Sequence, residues 1–322
     1  MPMSDMQTTD GETMPVEAVL REELAVGDAV LGTIRPILGH LLANPGNSLF
    51  GDEIVARVRG MLDSLAGQYL RTIARVNDTD AGLEVDEQMR ADLVAGLSTI
   101  PALIGHAHAR AMEYQLAEAL RLRSEIDAIL SPLLQNLVAE KSADVSALAM
   151  QVLAAQARFT QQVRRMELPL EELPGDLFHT ALLTMQAHYQ ADDQDRARRA
   201  EESLRSRFDE AAGREALLAR LIGSLGRDAM DALRIDHAGV ALFASALAIA
   251  TNQDRDLAVL STNERQLSRL ALSLRAAGLN PQAVEQQFLF IHPDISLPDS
   301  FDRLRSDRAA ALLAQGSGLP EG

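Results

Sequence analysis

The chain has 322 residues, 47% of them hydrophobic and 24% charged, with a net charge of −16 and no cysteine. That balance fits one large or two medium globular domains and excludes global disorder. The missing thiols exclude disulfides, thiolate metal sites, iron–sulfur clusters and a cysteine nucleophile, and an acidic surface with 3% aromatics and no Trp disfavours nucleic-acid and anionic-membrane partners.

Residues 1–14 read as a disordered acidic and polar tail. From there Ala, Leu, Arg, Glu and Gln dominate, all strong helix formers, and runs of β-branched and aromatic residues are missing. An N-terminal helical domain is expected over residues 15–168. Its clearest helix spans Phe50 to Val76, where Ile54, Val58, Met61, Leu62, Leu65, Tyr69, Ile73 and Val76 step by three and four along one face. A turn at Asn44-Pro45-Gly46-Asn47 precedes it, and a polar loop at 77–82 follows. Ser98 is the expected cap of a helix with Pro101 in its first turn, running to about Leu130. Ser131-Pro132 then supplies a cap and a first-position proline. Val145, Leu148, Val152, Phe159, Val163 and Met166 form the next stripe.

Leu168-Pro169 and Leu173-Pro174 break the pattern twice within a few residues, so two halves are expected to join near 167–176. Residues 169–213 read as that boundary plus a charged connector helix, dense in both signs from Asp192 onward. A C-terminal unit over 214–315 shows short helices at about 215–232, 237–250, 261–277, 281–290 and 302–314, before a loose tail at 316–322. Within it, Ser261 and Glu264 have the spacing of a capping box, Gly278 is placed to end that helix, and Asn280-Pro281 to start the next. The stretch Ala238–Ala250 is apolar all round but only 13 residues long, where about 20 are needed to span a bilayer. It reads as a buried core helix. Together these elements predict an all-α protein of two helical halves, the C-terminal one a HEAT-like, α-solenoid-like stack of short helices.

Two segments, Gly239-Val-Ala-Leu-Phe-Ala-Ser-Ala-Leu-Ala248 and Arg275-Ala-Ala-Gly-Leu279, carry a resemblance to a poorly characterised bacterial family of all-helical, HEAT-like proteins of unknown function. The resemblance spans about residues 214–315. It implies stacked helices and an interaction role, and no functional residues come with it.

Motifs for several large enzyme classes are missing. Lys141 is the only lysine and follows Glu140, so there is no phosphate-binding Gly-Lys-Ser/Thr loop; a G-x-S-x-G elbow and an H-E-x-x-H pair are also absent. His106 and His108 diverge by roughly 200° on a helix and cannot share a metal. His179 and His188 fall on opposite faces of one helix, although His188 and Asp192, four apart, are able to meet. His292-Pro293-Asp294 spells the J-domain tripeptide, but the helix before it carries no base, and a helix ending at proline accounts for it. Arg71 and Arg75, like Arg265 and Arg269, lie one turn apart, a spacing that can grip a phosphate or a carboxylate or simply line a solvated face.

The expected function is that of a non-enzymatic interaction or scaffold protein, regulatory in role, acting through the surface of a helical array. Its acidic face would favour a basic protein partner. No cofactor is expected. The alternative is a helical ligand- or metal-binding protein using His179, His188 and Asp192, with His106 as a further ligand. A homodimer formed through the Phe50–Val76 helix is a third reading. A cytoplasmic location is expected, since the N-terminus lacks a basic start followed by an apolar stretch.

Overall fold

The structure, a computed structural model, describes residues 15–43, 52–76, 87–189 and 194–316. The expected tail at 1–14, the turn at 44–47, the loop at 77–82, Asp192 and residues 317–322 lie outside them. Among the described residues there are fourteen α-helices, five 3-10 turns and no strand, so the protein is all-α. The helices are α1 (Val16–Ala43), α2 (Asp52–Val76), α3 (Glu87–Leu97), α4 (Pro101–Ser124), α5 (Pro132–Val138), α6 (Ala143–Arg164) and α7 (Gly175–Gln186), then α8 (Gln194–Arg205), α9 (Arg214–Ser224), α10 (Ile235–Thr251), α11 (Arg255–Leu260), α12 (Leu267–Ala276), α13 (Pro281–Ile291) and α14 (Ser306–Gly316). None is long and apolar enough to cross a membrane.

Local chemistry sets most boundaries. Ser131 accepts a hydrogen bond from the Leu134 N–H (3.3 Å) ahead of Pro132. Asn280 accepts from Ala283 (2.8 Å) ahead of Pro281. Gly278 takes φ +103°, and the Leu279 N–H closes back on the Leu274 carbonyl at 3.2 Å, ending α12. Two expected caps are corrected. Ser98 donates its hydroxyl to the Val94 carbonyl (2.7 Å), so it closes α3, and α4 starts at Pro101 with no side-chain cap. Ser261 likewise closes α11: its N–H and hydroxyl go to the Leu257 and Ala258 carbonyls (2.8 and 2.7 Å). The Ser261–Glu264 capping box does not form, and Asn263 caps the next turn through the Arg265 N–H. The helix expected over 261–277 is therefore two pieces, a short 3-10 turn at Glu264–Gln266 and then α12. Nor does α4 reach Leu130; Glu125, at φ +56°, ends it.

Two large apolar cores form. One surrounds α2, whose Val58, Met61, Leu62 and Leu65 meet Leu93 and Leu97 of α3 and Leu182 and Met185 of α7. The other surrounds α10, whose Leu242, Phe243 and Leu247 are almost fully buried against Leu218 and Leu221 of α9, Leu270 of α12 and Phe288 of α13. The cores do not divide in chain order near 167–176. Helix α1 gives Leu38 and Leu42 to the first and Leu20 and Leu24 to the second. Helix α4 gives Leu103, Ile104 and Ala107 to the first and Ala117 and Leu120 to the second. Leu168, Leu170 and Leu173, within the expected boundary, are buried in the α2 core. The last helices return to the first: α1 packs on α12 and α14, and Arg269, fully buried, pairs with Asp28.

Helix α10 bends at Gly239, which has φ +70° and ψ 168°. A Cβ there would sit 3.1 Å from the Ser131 Cβ, so both the backbone region and the close approach of α5 require glycine.

Candidate functional site

The middle of α4 carries three polar residues on one face, His106, Arg110 and Glu113, at 2, 3 and 1% exposure. Spacings of four and three place them in a single line, and the line falls between the segments of α4 that feed the two cores. Two helix starts meet it. Helix α9 begins Arg214-Glu215, and α11 begins Arg255-Asp256.

Both dipeptides engage α4 in the same way. Arg214 grips Glu113 with two parallel hydrogen bonds, Nη1 to Oε1 at 2.8 Å and Nη2 to Oε2 at 2.9 Å. Arg255 grips the same carboxylate from its other side, Nη1 to Oε2 at 2.9 Å and Nη2 to Oε1 at 2.8 Å. The acidic members, Glu215 and Asp256, both accept from the Arg110 guanidinium. His106 Nδ1 lies 2.8 Å from Asp256 Oδ2. Supporting contacts fix each arginine. Arg214 also donates to Gln156 (2.9 Å) and stacks over the Phe159 ring at 3.6 Å, and Arg255 Nε donates to Ser245 Oγ (2.9 Å). Three guanidiniums thus face three carboxylates, with His106 alongside.

Burial opposes every one of these charges, and for all but Arg214 the neighbours outweigh it. Burial alone would raise Glu113, but Arg214, Arg255 and Arg110 hold it well below the usual carboxylate range. Burial would likewise raise Asp256, yet Arg110 and His106 bring it down to about 2. Glu215 is also lowered, against its own burial, by Arg110 and Arg255. Arg110 is raised despite its burial, because Glu215, Asp256 and Glu113 surround it. For Arg214, burial outweighs Glu113 and the shift is downward. All three acids are ionised at neutral pH.

Ligand atoms of His106, Glu215 and Asp256 lie within 4.8 Å of one another, close enough to hold a metal ion. Arg110, however, already balances both carboxylates. A divalent cation there would confront a buried guanidinium, so the donor set fits a metal poorly.

One side of this network opens on a cleft of about 520 Å³ between the Leu170–Glu172 turn, α9 and α10. Glu171, Glu172, Glu210 and Glu215 line it together with Arg255, Leu173, Pro174 and Ile249, the last 51% exposed. Glu172 accepts from the Arg214 N–H (2.9 Å) and Glu210 from the Gly175 N–H (3.1 Å).

The histidines singled out from sequence do not converge. His179 Nδ1 accepts from Arg205 Nη2 at 2.6 Å, on the side facing α8. His188 donates Nδ1–H to the Thr184 carbonyl (2.8 Å) and lies against Gly96 of α3. Asp192 is outside the described residues. His106 alone joins a cluster, with partners that sequence reading missed: Arg110, Glu113, Arg214, Glu215, Arg255 and Asp256. The local traces were the H-x3-R-x2-E spacing in α4 and an Arg-acid dipeptide opening each of two helices. His108 lines a separate recess with Val30, Leu31 and Ile34 of α1 and with Asn263, Arg265 and Gln266. Comparison with family models, curated proteins and solved structures finds no match to this chain.

Proposed function

We propose that this chain is a non-enzymatic binding protein whose acidic cleft receives an arginine- or lysine-bearing segment of a protein partner. The observation that carries the reading is the cleft itself. Four glutamates surround an opening of about 520 Å³ that also presents Ile249, Leu173 and Pro174. That combination suits a cationic side chain flanked by an apolar one. The volume is within the ordinary range of roughly 300–1,000 Å³ for ligand sites. A net charge of −16 would steer basic partners towards the surface. The Glu113-centred network serves this reading as a scaffold, holding Glu215 and Arg255 rigidly at the wall. The HEAT-like character expected of residues 214–315 belongs to the same proposal, with short helices as a presenting surface.

The test is fluorescence anisotropy with short labelled peptides at low salt. Peptides pairing Arg with Leu should bind at least ten-fold tighter than the same peptides with Arg replaced by Gln or Glu. Glu171→Lys, an exposed change on the cleft rim, should remove most of that preference. Equal binding of basic and neutral peptides, or an unaltered preference in Glu171→Lys, would defeat the reading.

A further inference from the structure

On the other side of the Leu170–Glu172 turn lies a second recess, of about 300 Å³, with the opposite character. Arg71 and Arg75 of α2 and Arg207, just beyond α8, all line it. Among the described residues neither Arg71 nor Arg75 pairs with a carboxylate, in contrast to the arginines of the buried network. Arg207 donates Nε to the Ser203 carbonyl at 3.0 Å, and among the described residues it pairs with no carboxylate. The C-terminal end of a helix favours a cation at Arg75. It does not explain why three guanidiniums border one cavity in a strongly acidic protein.

The polar neighbours on α2 are already committed. Gln68 accepts from the Leu170 N–H (2.9 Å) and donates to the Leu168 carbonyl (2.8 Å), while Thr72 donates to the Gln68 carbonyl (2.9 Å). Opposite α2, Leu170, Phe178, Leu204 and Phe208 give an apolar wall beside Arg207. Phe208 stacks on the buried Phe178 with ring centroids 4.0 Å apart and planes 7° from parallel. One carboxylate, Glu171, stands at the edge.

We propose that this cavity binds a small molecule bearing an oxyanion on a flat apolar body, with an aryl phosphate as the best-fitting chemistry. Arg71 and Arg75, one helical turn apart, repel each other until an anion lies between them. Guanidinium forks match phosphate oxygens in pairs. Phe208 offers a face to the ring. The volume is at the lower end for a ligand site, which limits the occupant to a small body.

The probe is 1-naphthyl phosphate, titrated calorimetrically into the full chain at low salt. Saturable binding at one site is expected, weakening as salt rises. Inorganic phosphate should compete with it, and 1-naphthol should bind at least ten-fold more weakly. The Arg71→Gln/Arg75→Gln double variant, altered only at exposed positions, should raise Kd at least ten-fold, while Arg198→Gln on the outer face of α8 should leave it unchanged. Absence of saturable binding, naphthol binding as tightly as its phosphate, failure of inorganic phosphate to compete, or an unchanged Kd in the double variant would each overturn the proposal.

Discussion

Glu113→Gln is the sharpest probe of the buried network. In the native chain this carboxylate, 1% exposed, accepts four hydrogen bonds of 2.8–2.9 Å from two guanidiniums. The amide has nearly the same shape. Its NH2 group, however, faces donors on both sides, so two of the four bonds become donor against donor. The two that remain lose the charge that strengthened them. Three buried arginines would then face two carboxylates, leaving one uncompensated positive charge. Breaking a buried ion pair by removing one partner costs about 3–5 kcal/mol. An unfolding entropy of roughly 2.1 cal/mol/K per residue gives about 0.7 kcal/mol/K for a chain of 322 residues. The loss should therefore lower Tm by roughly 4–7 °C in a calorimetric or dichroism melt. Combining it with Arg214→Met should cost less than the sum of the two single changes, because they remove the same contact. A drop below about 1 °C, or strict additivity in the double variant, would refute the idea that this carboxylate anchors the network.

Three further outcomes can be checked. His108, buried against α1, has its pKa lowered to about 4 by burial, partly offset by Asp256. Between pH 6.5 and 4 the unfolded chain therefore holds more protons at this site, and the folded state loses up to about 3 kcal/mol as pH falls across that window. Relative to His108→Leu, the native protein should show a steeper loss of Tm from pH 6.5 to 4; parallel curves would contradict the assignment. Gly239→Ala forces a side chain into a backbone region that only glycine tolerates and to within 3.1 Å of the Ser131 Cβ. About 2–3 kcal/mol of stability should be lost, and a neutral urea midpoint would show that the bend relaxes. Zinc or manganese should not raise Tm, since Arg110 occupies the electrostatic place of a cation; stoichiometric metal that is lost on His106→Ala would reverse that conclusion.

Much of the helical framework was legible because it is written locally. Ser131-Pro132, Asn280-Pro281 and Gly278 need only their immediate neighbours to act, and all three behave as their chemistry dictates. The apolar stripe of α2 and the all-round apolarity of α10 likewise predict their burial. The capping box expected at Ser261 does not form, because a serine hydroxyl can close one helix as readily as open another, and α11, only six residues long, is too short to show a period. The charged network was not legible because its members come from three segments some 40 to 150 residues apart. A charged side chain looks the same in sequence whether it faces water or a buried partner. Arg110 and Glu113 are buried only because α9 and α11 bring complementary dipeptides onto them, a fact of tertiary packing with no periodic signature. The histidines attracted attention by type, yet His179 and His188 are each used by nearby groups.

The paired dipeptides at the starts of α9 and α11 have a mechanical consequence. Sliding α4 by one turn past either helix would move Glu113, 1% exposed, out of reach of its forks and leave buried ions without their partners. The joint therefore resists shear far more strongly than the greasy surfaces above and below it, which would tolerate small slips. Melting one end of the molecule should drag the other with it, giving a single cooperative unfolding step where two separable lobes would give two.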